Sequence, residues 1–251
     1  MRWSRVKGTF ARFLLLTLCP GLVQADEARF FILETEVGNI SYEEDVSIGP
    51  VPPDTEWDAT YAGVAGSVLF PSEGFLVRLT GEYWHSLEET EEWTSLGTLV
   101  QENDLEVSGV EVKGEVGWPL MDNQKTRVTP YAGFGYAYQS FERSDFMVGG
   151  RPVEEGSIEE EFTYLFADVT LEIRRQVSDT ISIFTEGGAG YVFEYEAENE
   201  AFGDVEGDNG VLVELAAGLA WTFKEDQSLE AGVHYFLQDL DGGVENRAFV
   251  T

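Results

Sequence analysis

The sequence predicts an all-β chain folded as a closed, antiparallel, up-and-down barrel, with ten strands expected and eight as the alternative count. Three observations predict it. Apolar residues recur at every second position in segments of about ten residues, and no stretch holds a 3.6-residue period. The connections between these segments alternate between long and short. Aromatic residues gather near segment ends, while charges and glycines share the opposite phase. The chain has 251 residues, of which 13% are aromatic. It can therefore bury a sizeable core despite a net charge of −32, and it is not a disordered acidic tail.

The first 25 residues read as a leader. Arg2, Arg5, Lys7 and Arg12 form a basic start without an acid, Phe13 to Val23 is a short apolar run, and Val23-Gln24-Ala25 is a small-residue cleavage site. The expected organisation is a cleaved signal peptide over 1–25 and one domain over 26–251, starting at Asp26. No run of 18 apolar residues occurs, so no helix is expected to span a membrane. Cys19 follows the bulky Leu18, which does not suit lipid attachment. Losing the leader removes the only Cys and four basic residues, leaving 11 basic against 47 acidic residues and a net charge of −36. Disulfide and thiol chemistry are then excluded. A pI near 4.1 argues against nucleic acid as a partner, because phosphates need Lys and Arg.

The ten expected strands lie near 28–37, 57–70, 75–86, 105–118, 127–141, 162–174, 180–195, 211–223, 228–240 and 244–251. The polar connections 38–56, 87–104, 142–161 and 196–210 are long. Those at 71–74, 119–126, 175–179 and 224–227 are short turns. A meander with every long loop at one end has this rhythm, whereas Greek-key crossings would break it.

One phase of each strand is apolar: Phe75, Leu79 and Tyr83; Val110, Val112 and Trp118; Leu165, Val169, Leu171 and Ile173; Val213, Leu215, Leu219 and Trp221. The other phase carries Glu34, Arg78, Glu82, Glu111, Lys113, Glu115, Asp168, Glu172, Arg174, Glu186, Glu214, Glu230 and His234. Alternation alone does not say which phase faces out. Two features place the apolar phase outward, toward hydrocarbon. Trp57, Tyr83, Trp84, Tyr138, Tyr164, Tyr191 and Tyr195 lie at the long-loop end, and Phe70, Phe75, Trp118, Trp221 and Phe223 at the short-turn end. Two such belts suit the two interfaces of a bilayer. Gly133, Gly135, Gly188, Gly190, Gly218 and Gly232 fall in the charged phase, where a narrow interior must share space with long side chains. In lipid every backbone group must pair within the protein, so the sheet must close.

On these residues the chain resembles the small outer-membrane β-barrel proteins of Gram-negative bacteria, over all of 26–251. Glu230-Ala-Gly232-Val-His-Tyr235-Phe-Leu237 is similar to the signal read by the barrel insertion machinery. The chain continues past it to Ala248-Phe249-Val250-Thr251, so an even strand count uses 244–251 after the Asp241-Gly242-Gly243 turn. The resemblance implies residence in the outer membrane as a monomer, contact with membrane lipids and lipopolysaccharide, and short turns facing the periplasm. It specifies architecture and leaves function open.

The four long connections hold 24 of the 47 acids and only two bases, Arg143 and Arg151, while Lys125, Arg127, Arg174, Arg175 and Lys224 lie at the short-turn end. The outer surface is therefore expected to be anionic and repulsive toward non-specific partners. No cofactor is expected. Divalent cations held by the acidic loops are the alternative, but Asp204, Glu206, Asp208 and Asn209 lack the Gly and the closing Glu of a calcium loop. Nine acids and three bases share the interior phase, so a wet lumen, protonated carboxylates or bound cations are expected.

Catalytic signals are few. The two histidines are His85, on the outward phase at the outer rim, and His234, on the lumen phase. Omptin-type proteases also use a ten-stranded barrel, but their paired acids and Asp-His have no clear counterpart here. The expected role is structural or surface-interacting, without catalysis. The alternatives are a narrow cation-preferring channel, because an acid-lined constriction rejects anions, and a surface hydrolase, omptin-like or lipid-modifying.

Overall fold

The computed structural model describes residues 5–13, 30–45, 54–122, 125–153, 156–199, 205–207, 210–224 and 227–240. The described residues form fourteen strands: β1 (Arg5–Phe13), β2 (Phe30–Asp45), β3 (Asp54–Ser72), β4 (Phe75–Ser86), β5 (Glu89–Ser95), β6 (Thr98–Gly117), β7 (Met121–Asp122), β8 (Thr126–Val148), β9 (Arg151–Pro152), β10 (Ile158–Gln176), β11 (Ile181–Asn199), β12 (Val205–Gly207), β13 (Gly210–Lys224) and β14 (Gln227–Leu240). Every pairing is antiparallel, and the pairings run in a ring from β1 through β2, β3, β4, β6, β8, β10, β11, β13 and β14 back to β1. The chain is thus a closed up-and-down barrel. No helix is long and apolar enough to cross a membrane among the described residues; the strands are the candidates for crossing.

Residues 30–240 supply all but one strand of the ring. The strand between β14 and β2 is β1, drawn from the segment that reads as a leader, with Phe10 opposite His234 on one side and Gly38 on the other. That place in the ring is where 244–251 is expected; those residues, with Asp241-Gly242-Gly243, lie outside the described residues.

The alternation resolves as the bilayer requires. Val112 (57% exposed), Leu171 (42%) and Leu219 (57%) point away from the barrel axis, and Phe134, Val169, Val211 and Val233 are also exposed. Along β10 the apolar outer face runs from Leu165 to Ile173, eight steps or about 26 Å of strand. That is close to the ~25 Å band of an outer-membrane barrel.

Three sequence expectations are corrected. First, the connections read as long loops are largely strand. β5 continues β4 past an irregularity at Leu87 and Glu88, where the Leu87 amide donates to the Thr60 carbonyl at 2.7 Å. β6 and β8 carry the ladder up to Gln101 opposite Val148. Two turns in these stretches are tight: Leu96 and Gly97 both take positive φ (51° and 72°), as do Gly149 and Gly150 (57° and 74°), the backbone that a two-residue hairpin requires.

The reason is a reversal of chemistry at constant phase. On β6 the inner positions are Leu105 and Val107 near the outer end and Glu111, Lys113 and Glu115 lower down. The outer positions are Glu102, Asp104 and Glu106 above and Val110 and Val112 below. Where lipid surrounds the barrel, apolar residues face out. Above it water does, and the strand returns to apolar-in, acidic-out. Dense outward acids conceal that alternation in sequence.

Second, Trp57, Trp84, Tyr164 and Tyr195 do not belong to an outer belt. Trp57, Tyr164 and Tyr195 are buried inside the barrel, and Trp84 packs against the inner cluster. For the first three positions on β3, β4 and β10, parity is the reason, since each shares the phase of the inward residues. Tyr195 is turned inward by a bulge. Leu165 opposes Glu194 but Phe166 opposes Val192, leaving Phe193 as the extra residue that flips the phase. Tyr83 and Tyr191 face out.

Third, Arg127 is not only a charge at the short-turn end. It reaches into the lumen and pairs with Glu172 at 2.9 Å.

Candidate functional site: a plugged, acid-rich lumen

The lower lumen is a chamber of about 150 Å³. The inward phases of strands from around the ring bring Glu34, Arg78, Glu82, Glu111, Lys113, Glu115, Glu172, Arg174, Glu186, Glu214, Glu230 and His234 to its wall, together with Arg127. Asp168 lies just behind it, on a smaller cavity shared with Glu111 and Glu214. Period two finds these residues because each is on an inward position. It does not give their partners, which come from across the barrel.

Arg78 on β4 grips Glu115 on β6 with two hydrogen bonds, Nε to Oε2 at 2.6 Å and Nη2 to Oε1 at 2.9 Å. It also reaches across the lumen to Glu186 on β11, at 3.3 and 3.2 Å. Its guanidinium carbon lies 4.3 Å from the Tyr131 ring centroid, so the aromatic face covers a cation whose edge bonds two carboxylates. Lys113 on β6 meets Asp168 at 3.4 Å and, across the axis, Glu214 at 3.5 Å. Arg174 pairs with Glu230. The bases are therefore shared among carboxylates from opposite walls, which keeps most of the acids close to a cation and ties the walls together. Losing one partner of such a buried pair costs far more than the pair contributes, because the survivor stays desolvated.

Above the chamber the lumen turns apolar. Ile40, Trp57, Ala59, Tyr61, Leu105, Val107, Phe141, Phe162 and Ala197 form one buried cluster, with Leu105 and Val107 at 0% exposure. Ala137, Tyr164, Phe166, Val192, Tyr195, Leu212 and Leu240 form a second. Members of the first come from β2 and β3 and from β8, β10 and β11 on the far side of the ring, so they meet across the axis. Phe141 and Phe162 stand edge to face at 5.2 Å. Gln139 donates to Gln238 at 3.1 Å, and the Tyr164 hydroxyl donates to the same Gln238 oxygen at 3.2 Å, which pins β8, β10 and β14 at this level. The sequence signal for this plug is a set of aromatics on the inward phase, of which Trp57, Trp84 and Tyr164 resemble an interfacial belt because they also lie near strand ends.

Glycine makes room for the plug. A Cβ at Gly135 would lie 2.1 Å from the Phe166 ring, and one at Gly109 would lie 2.4 Å from the Trp84 ring. Gly135→Ala is therefore expected to destabilise the folded barrel by about 1–3 kcal/mol. A lowered midpoint for loss of the compact, heat-modifiable form on gels checks it, and an unchanged midpoint sinks it.

A third buried constellation lies near the outer end. Arg143 on β8 bonds Glu91 on β5 through Nε at 2.8 Å and Glu160 on β10 through Nη1 at 3.1 Å. Asn103 on β6 donates to the same Glu91 oxygen at 2.8 Å. All four lie in the stretches 87–104 and 142–161, whose acid-rich sequence predicts loops.

The histidines are far apart in character. His85 lies on the outer face, 3.7 Å from Glu106; His234 is buried at the wall of the chamber. No group of three or more His, Cys, Asp or Glu with metal-binding geometry occurs among the described residues. Of the suggested calcium run, Asp204, Asp208 and Asn209 lie outside the described residues.

No family model matches the chain, and no curated protein matches it. Solved structures do. The chain is similar to the outer membrane protease OmpT from Escherichia coli, with 10% identity over 94% of each chain and a TM-score of 0.51. It also aligns with the translocator domain of the autotransporter NalP from Neisseria meningitidis, at 8% identity over 95% of this chain and 88% of that one (TM-score 0.42). A third alignment is with the outer membrane protein OprG from Pseudomonas aeruginosa, at 10% identity over 96% and 94% (TM-score 0.31). At this identity the first of these shows the fold: a closed barrel of the outer-membrane type.

Proposed function

We propose that this chain is an integral outer-membrane barrel that is closed to ions and works, without catalysis, from its acidic outer face. The observation that carries this reading is the plug. Two apolar clusters pack across the lumen between the charged chamber and the outer mouth, and an apolar constriction is a barrier to ions. The strands extend well past the lipid-facing band, so much of the protein's exposed surface is the outer wall of a rigid, negatively charged cylinder. The alternative of a cation-preferring channel draws on the chamber, whose wall carries eight glutamates against four bases. The hydrolase alternative has less support. His85 faces outward beside Glu106, and His234 lies beneath the plug.

Planar-bilayer recording tests the reading. The purified barrel is expected to pass no steady current at moderate voltage, and Glu82→Gln with Glu111→Gln is expected to leave that silence unchanged. A stable cation-selective conductance abolished by the same pair would overturn it in favour of the channel.

A further inference from the structure

We propose that the tip of the β5–β6 hairpin and the adjoining end of β8 form a docking surface for a cationic, amphipathic polypeptide segment. This deepens the reading of a barrel that acts from its outer face, and rests on it.

The tip carries apolar side chains where lipid does not cover them. Leu96 is 85% exposed, and Leu99 and Val100 on β6 and Met147 and Val148 on β8 are exposed as well. Gln101 lies opposite Val148 and Glu102 opposite Met147, so the apolar end of β8 adjoins the β6 segment that leads to Val100 and Leu99. The lipid-facing band of β6 ends near Val110. Leu99 is eleven steps farther on, about 36 Å along the strand. Glu102, Asp104 and Glu106 occupy the outward positions between them. Apolar residues clustered outside the band, on a surface otherwise rich in acids, mark an interaction site.

Charge selects the occupant. Glu56 on β3 is opposite Glu92 on β5, which is opposite Glu102 on β6, which is opposite Met147 on β8. Three carboxylates in register on neighbouring strands repel one another, and among the described residues none of the three meets a basic side chain. The row runs directly into the apolar patch. A second copy of this chain would bring the same acids, and lipid phosphates would be repelled. A neutral apolar partner would leave the carboxylate row uncompensated. A segment that alternates basic and apolar side chains satisfies both halves: its cations lie along the row, and its apolar residues cover Leu96, Leu99 and Met147. The platform is held in place from beneath by the Arg143 links to Glu91 and Glu160, so little ordering is needed when a partner lands. Opposite charge also steers the encounter.

The test uses the full chain folded into phosphatidylcholine nanodiscs, with empty nanodiscs as baseline, titrated with a labelled twelve-residue peptide of alternating Lys and Leu. Saturable binding is expected. It should weaken at least tenfold for Leu96→Ser with Leu99→Ser, and at least tenfold for Glu92→Gln with Glu102→Gln. It should be unchanged for Glu142→Gln with Glu159→Gln, acids on the outer wall away from the tip. All these positions are at the surface, so the barrel should fold in each variant. Equal affinity across the variants, equal binding of a Glu-Leu peptide, or no binding would overturn the proposal. So would self-association in sedimentation, or attachment to anionic vesicles, that the Leu96 and Leu99 substitutions abolish. A silent barrel that fails to bind the peptide removes this inference alone; a conducting barrel removes the reading beneath it.

Discussion

Replacing Trp57, Phe141 and Tyr164 together by alanine is expected to turn a silent barrel into one that passes cations. All three side chains are almost fully buried. They come from β3, β8 and β10 and fill both apolar clusters. Each removal costs about 3–5 kcal/mol of packing, but the strand ladder that closes the cylinder does not depend on them. The gap exceeds what neighbouring side chains can fill, and it joins the charged chamber to the outer mouth, so water enters from both ends. With eight glutamates and four bases on the chamber wall, the path favours cations. The measurement is the reversal potential in a KCl gradient, made on protein that still migrates as the folded, heat-modifiable form. If the folded triple variant carries no current, the plug is not what closes the barrel.

The second large effect is expected at the opposite extreme of chemistry. Arg143→Leu removes the guanidinium that links Glu91 and Glu160, while both carboxylates stay buried, with side-chain exposures of 0% and 3%. Breaking a buried pair from one side costs about 3–5 kcal/mol. The loss should be local. Arg143 ties β5 to β8 and β10 near the outer end, so that end should loosen while the lipid-facing band keeps its own ladder and burial. Hydrogen exchange over 89–105 and 141–160 is expected to rise by orders of magnitude with little change over 110–118 and 165–173. Arg143→Lys should not restore protection, because a single ammonium cannot bond both acids as the guanidinium fork does. Unchanged exchange at the outer end in Arg143→Leu would show that the cluster is not its anchor.

The two predictions concern residues that sequence patterns treated very differently. Phe141 and Tyr164 lay at the ends of expected strands, and only their direction was at issue. Arg143, Glu91, Asn103 and Glu160 lay in stretches taken for loops, because outward acids such as Glu92, Glu102 and Glu159 crowd those segments and mask the alternation beneath. A strand that leaves one solvent for another inverts its pattern without changing phase, so no single orientation holds along its length.

Which residues share a face is legible in the amino-acid order. Successive side chains of a strand must alternate, and a closed sheet in hydrocarbon can expose only its apolar phase. That is why Val112, Leu171 and Leu219 fall on one face and Glu111, Lys113 and Glu115 on the other by parity, with the aromatic strand ends and the glycines of the charged phase assigning the first face to hydrocarbon. Who meets whom across the axis, and where the solvent changes, is set by the closed barrel. Arg78 and Glu186 are 108 residues apart in the chain. Their contact depends on ring closure and strand stagger, which no local period records. The same closure brings Trp57, Phe141 and Phe162 together as a plug, because inward aromatics become a core only when opposite walls are near enough to touch.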